Sequence, residues 1–152
     1  MNKIAVFPGS FDPITKGHES IVRRALPIFD KIIIAIGINS EKTFYFTPEQ
    51  REVHMKQVFR GENKIVVDKY SGLTVEYCKK VNAKYILRGL RISADFEFER
   101  GIAHLNKAMY PEIETVFLLA EQEYSALNST IVREILRNGG DVSLFVPEKL
   151  KL

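Results

Sequence analysis

The chain has 152 residues, 45% hydrophobic and 27% charged, with 9 Gly, 6 Pro and a formal charge of +3. Those proportions exclude a collagen-like, low-complexity or disordered protein, and the length suffices for one substantial core without disulfides or structural metal. A single domain over residues 1–152 is therefore expected. Cys78 stands alone, so no internal disulfide forms; with no secretory core at the N-terminus, a reducing, cytoplasmic setting is expected. The longest apolar stretch, 32–38, is too short to cross a bilayer, and 22 basic against 19 acidic residues form no basic block. Neither a membrane nor a nucleic acid is expected as partner.

Residues 3–7 (KIAVF) are short, apolar and rich in β-branched or aromatic side chains, which predicts a buried strand closed by Pro8-Gly9. A helix follows, its apolar stripe made by Ile21, Val22, Ala25 and Leu26 and stopped by Pro27. Residues 31–38 (KIIIAIGI) predict the second strand. Thr47-Pro48-Glu49-Gln50 then opens a helix: a capping threonine, proline at the first helical position and glutamine three residues after the cap. A third strand at 64–68 precedes a helix over Leu73 to Val81, and a fourth at 84–87 precedes a longer one with Phe98, Ile102, Leu105 and Met109 along one side. The fifth strand, 114–119, leads to a helix from about Ser129 to Asn138 that stops at Gly139-Gly140. Five β-α units with right-handed crossovers predict an α/β fold, a doubly wound five-stranded parallel sheet in which each strand is buried.

In such sheets ligands bind beyond the carboxyl ends of the strands. Five segments stand there: 8–18, 39–42, 70–74, 88–91 and 124–130. Three place a cation at that rim and two add hydroxyls near a helix start, which suits a ligand carrying several phosphates. Neither G-x-x-x-x-G-K-[ST] nor G-x-G-x-x-G occurs, against a P-loop or a dinucleotide site. Instead Thr15-x-Gly17-His18 opens the first helix, where a histidine ring can donate to a phosphate oxygen.

Gly9-Ser10-Phe11-Asp12-Pro13-x-Thr15-x-Gly17-His18 resembles the signature of the (H/T)xGH nucleotidyltransferases, which have a Rossmann-like fold. Lys42 and the run Arg88-Gly89-Leu90-Arg91-x3-Asp95-Phe96-Glu97-Phe98-Glu99 make the chain similar to the bacterial phosphopantetheine adenylyltransferase family from Met1 to about Pro147. That resemblance implies transfer of AMP from ATP to 4′-phosphopantetheine, giving dephospho-CoA and pyrophosphate, with Mg2+ held mainly by the ATP phosphates and no metal site of the protein's own. It implies His18 as the catalytic residue. An ATP site is implied at Ser10, Phe11, His18, Gly89, Leu90, Arg91, Glu99, Tyr124, Ser125, Ala126, Leu127, Asn128, Ser129 and Thr130. The acceptor site is implied at Ser10, Lys42, Thr74 and Arg88. A homo-oligomer, commonly a hexamer in the family, is implied as well.

The chain departs from the family pattern at Asn128, where a serine is usual, though asparagine still caps a helix well. It also ends soon after Pro147, short of a frequent tail helix whose lack is not expected to abolish chemistry. His54 and His104 read as structural or surface residues, Cys78 as a small core hydrophobe, Asp12 as a turn former, and Asp95 and Glu97 as acids complementing a helix dipole. Two rival functions remain. A related transferase acting on nicotinamide mononucleotide or glycerol phosphate would carry an Arg-Thr-x-Gly-Ile-Ser-[ST] segment, which residues 122–130 do not reproduce. A non-catalytic nucleotide- or RNA-binding module would interleave basic and exposed aromatic residues along one face.

Overall fold

The computed structural model describes residues 2–152. The five apolar runs pair as one parallel sheet: β1 (Ile4–Gly9), β2 (Lys31–Gly37), β3 (Ile65–Tyr70), β4 (Tyr85–Leu90) and β5 (Glu114–Leu119), in the order β3-β2-β1-β4-β5. Between and after them lie α1 (Lys16–Ala25), α2 (Pro48–Val58), α3 (Thr74–Lys80), α4 (Ser93–Met109) and α5 (Ser129–Arg137). Alternation of side chains along the strands divides the core into two layers. Phe7, Ile32, Ile34 and Ile36 pack with Ile21 and Val22 of α1, Met55 and Val58 of α2 and Val132 of α5. On the other face Val6, Ile33, Ala35 and Ile86 meet Tyr77 and Cys78 of α3.

Only β1 and β2 are buried through their interiors; β4 is buried at Ile86 and Leu87 alone. β3 alternates half-buried and exposed residues from Ile65 to Asp68, and β5 is half-buried between exposed ends at Glu114 and Leu119. The expectation of five buried strands is corrected for β3 and β5, the edges of the sheet, and in part for β4.

Local capping follows the sequence. Thr47 Oγ1 accepts from the Gln50 amide at 3.1 Å while Gln50 Oε1 accepts from the Thr47 amide at 2.9 Å, so the box opens α2. α5 closes through Gly139 at φ 73°, with the Gly139 amide donating to Leu136 O and the Gly140 amide to Ile135 O. That pair of bonds is a Schellman cap, and its left-handed residue costs a glycine little. α4 behaves otherwise. Its stripe of Phe98, Ile102, Leu105 and Met109 points away from the core, with Leu105 66% exposed, and the one buried residue of the helix is Glu99. Among the described residues no helix is long and apolar enough to cross a membrane.

Candidate active site

The chain runs from β1 outward to β3, then returns to place β4 on the other flank of β1, so the carboxyl ends of β1 and β4 border the crevice where strand order reverses. Two cavities open there, of about 470 Å3 and about 330 Å3. Pro8, Gly9, Ser10, Arg88, Phe98 and Glu99 line both and form the partition between them.

His18 stands in the first cavity at the third position of α1. The Thr15 hydroxyl accepts from the His18 amide at 3.3 Å, and the Thr15 amide donates to His18 Nδ1 at 3.0 Å. The ring thus replaces the usual Glu or Gln of a capping box. Because Nδ1 accepts a main-chain N–H, the proton of the neutral ring is assigned to Nε2. Burial first, then the nearby charges of Arg88 and Arg91, lower the His18 pKa from 6.5 to about 4. Phe11 holds the ring edge-on at a centroid distance of 5.2 Å. The outcome is a neutral imidazole in a fixed pose with one N–H left to donate.

Three arginines share that wall. Arg88 donates through Nε and an Nη to the two Glu99 oxygens, at 3.1 and 2.6 Å, and through its other Nη to Pro8 O at 2.7 Å. Arg91 pairs with Asp95 and reaches Leu127 O at 3.2 Å. Arg133, from α5, donates to Asp12 O at 2.8 Å and to Thr130 Oγ1 at 3.2 Å. α1 passes close over β4 at Gly89, where a Cβ would stand 3.0 Å from Ile21 Cγ1 and the isoleucine would have to give way. Lys42 and Thr74 line the second cavity, and the Thr74 hydroxyl lies 2.9 Å from the Tyr70 hydroxyl.

The cytidylyltransferase-like family model matches residues 6–135. Curated relatives named phosphopantetheine adenylyltransferase include one from Leptospira biflexa, 54% identical over 97% of this chain and 92% of the relative. Another, from Flavobacterium psychrophilum, is 51% identical over 97% of each, and one from Cytophaga hutchinsonii is 45% identical over 99% of this chain and all of the relative. The chain belongs to the phosphopantetheine adenylyltransferase family of cytidylyltransferase-like nucleotidyltransferases. Solved structures share its fold: a putative nicotinate-nucleotide adenylyltransferase from Vibrio parahaemolyticus has a TM-score of 0.71 at 19% identity, covering 96% of this chain and 94% of that one. A bifunctional NMN adenylyltransferase/ADP ribose pyrophosphatase from Francisella tularensis has a TM-score of 0.74 at 20% identity, over 96% of this chain and 45% of that one. At those identities the likeness is one of fold.

For this member of the phosphopantetheine adenylyltransferase family, the residues singled out in the sequence divide by position. Ser10, Phe11, His18, Gly89, Arg91, Glu99, Tyr124, Leu127, Asn128 and Ser129 line the first cavity, and Ser10, Lys42, Thr74, Arg88 and Glu99 the second. Leu90, Ser125, Ala126 and Thr130 are in neither wall, and Ala126 borders a third hollow beside Leu144 and Phe145. Several wall residues are already bonded: both Glu99 oxygens accept from Arg88, and the Ser129 hydroxyl donates to Pro13 O at 2.8 Å. Asn128 Oδ1 accepts from the Ile131 amide at 2.9 Å and caps α5. Asp12 is more than a turn former. Its carboxylate is buried and accepts from the Tyr45 and Phe46 amides at 2.8 Å each, tying the β2–α2 loop to the start of α1.

Sequence reasoning missed Arg133 and Arg51. Arg133 sits three residues past Thr130, the last of the strand-end segment 124–130 and on the same helix, and that spacing alone could have flagged it. Arg51 recurs with His54, Met55 and Val58 at i, i+3, i+4 and i+7, the pattern of a buried face, which its charge obscured.

Proposed function

We infer that this chain transfers AMP from ATP to 4′-phosphopantetheine, releasing dephospho-CoA and pyrophosphate, with ATP in the larger cavity and the acceptor in the smaller. One observation supports this reading above others: two cavities meet at a shared partition bearing Ser10 and Arg88, with His18 beside it. A donor and an acceptor placed on either side converge there.

The acceptor is a phosphate monoester, already anionic near neutral pH, so no general base is needed to activate it. The barrier is the approach of one anion to the α-phosphate of another, and catalysis consists of in-line positioning and neutralisation of charge. His18 donates from Nε2 to an α-phosphate oxygen as charge develops. Its neutrality keeps Nδ1 as an acceptor for Thr15 and so preserves the aim of the ring. Arg91 and Arg133 face the phosphates of ATP, and Lys42 with Arg88 faces the phosphate of the acceptor. Glu99 orients Arg88 through two parallel bonds.

The acidic groups of the first cavity, Asp12, Asp95 and Glu99, are bonded to main-chain amides or to an arginine. The wall therefore suits Mg2+ carried by the ATP phosphates rather than a cage of protein carboxylates. When bound, the ion supplies positive charge to the polyphosphate. The exposed stripe on α4 supports self-association, a hexamer by family resemblance, and the buried, unpaired Cys78 supports a cytoplasmic setting.

The deciding assay is pyrophosphate release from ATP as a function of added acceptor. Release is expected with 4′-phosphopantetheine and not with nicotinamide mononucleotide or glycerol 3-phosphate. Release with either control instead would transfer the chain to a sister activity, and none with any acceptor would leave a binding module.

A further inference from the structure

Arg51 is wholly buried, and burial lowers its pKa while the charges of Asp12 and Glu49 act in the opposite direction. Its hydrogen bonds go to main-chain carbonyls: one Nη donates to Ser10 O at 2.7 Å and to Gly37 O at 3.2 Å. The Phe44 ring covers the guanidinium, with Cζ 4.2 Å from the ring centre. Nε and the second Nη have no partner among the described residues. Burying an ionised group is costly, and an apolar side chain of similar volume would fill the space at lower cost. Core packing alone does not account for an arginine at this place.

Its contacts do account for it. Ser10 follows β1, Gly37 ends β2, and Phe44 belongs to the loop between β2 and α2 that carries Lys42. All three line the second cavity, whereas only Ser10 also lines the first. Arg51 lies behind that wall on the buried face of α2. The same loop is held again by Asp12, through the Tyr45 and Phe46 amides, and by the Phe46 ring against His54 of α2 at 4.8 Å.

We propose that Arg51 is a positioning residue for the acceptor cavity, joining the ends of β1 and β2 to the Lys42 loop in the arrangement that receives the phosphorylated acceptor. This rests on the assignment of 4′-phosphopantetheine to that cavity. A planar guanidinium can bridge two carbonyls while stacking on a ring, which neither an aliphatic side chain nor a lysine reproduces fully.

The test compares wild type, Arg51→Met and Arg51→Lys by steady-state kinetics, with circular dichroism and thermal melts confirming the fold of each. Arg51→Met is expected to raise KM for 4′-phosphopantetheine by about tenfold or more while KM for ATP changes by less than about threefold, with Arg51→Lys between it and wild type. A folded Arg51→Met variant with both KM values within about twofold of wild type, or with both raised in parallel, overturns the proposal. If Arg51→Met does not fold, the same split in Arg51→Lys decides. If neither folds, Arg51 serves stability alone and the proposal fails. A wild type without acceptor-dependent pyrophosphate release sinks the functional reading together with this one, whereas an active wild type with unsplit variants sinks this one alone.

Discussion

His18 commits Nδ1 to the Thr15 amide, and that one bond determines which nitrogen can serve a ligand. Removing a donor that acts mainly in the transition state costs on the order of 10²–10³ in kcat. His18→Ala should show a loss of that size in kcat for pyrophosphate release, with KM values little changed; a kcat within a few-fold of wild type would remove the ring from the chemistry. Lys42, exposed on the wall of the second cavity alone, carries a different expectation. Lys42→Ala should raise KM for 4′-phosphopantetheine and leave KM for ATP in place, and an isolated rise in the latter would contradict the placement of the acceptor. The T-x-G-H spacing made His18 conspicuous in the sequence and its tautomer follows from the local Thr15 bond, but its lowered pKa depends on burial and on Arg88 and Arg91, which arrive from 70 or more residues away and were invisible as neighbours.

Elements with strong local signals formed as their residues indicate. The Thr47 box, the Asn128 cap and the Gly139 stop each use contacts within six residues, so short-range chemistry suffices to place them. α4 is the instructive exception. Its apolar stripe has the spacing of a core-facing helix, yet it is turned outward and Glu99 is turned in to meet Arg88. The self-association proposed above would use this exposed stripe. Leu105→Glu on that face should lower the mass measured by sedimentation or light scattering while leaving the fold by circular dichroism intact. An unchanged mass would remove the stripe as a contact between copies. The strands show the same limit of periodicity: 64–68 and 114–119 look as apolar as the central runs, and only pairing order makes them edges.

At the scale of the molecule, burial of titratable groups links the site to stability. His18 and His54 both have pKa values lowered chiefly by burial, so the unfolded chain binds their protons first as pH falls. Stability from this source is full above pH 6.5 and, for His18, declines as pH falls toward about 4. Melting temperatures should therefore drop between pH 7 and pH 5, and His18→Gln should flatten part of that slope; a wild-type melting temperature independent of pH across the window would contradict the burial of both rings. By itself the sequence determined the β-α alternation, the caps and the cluster of strand-end segments, because hydrophobic period and turn chemistry act over a few residues. Tertiary structure alone decided which strands became edges, which way α4 faced, and that Arg51 would sit buried behind the wall of the second cavity. Those outcomes depend on which distant surfaces meet, and burial is a property of the meeting rather than of either segment.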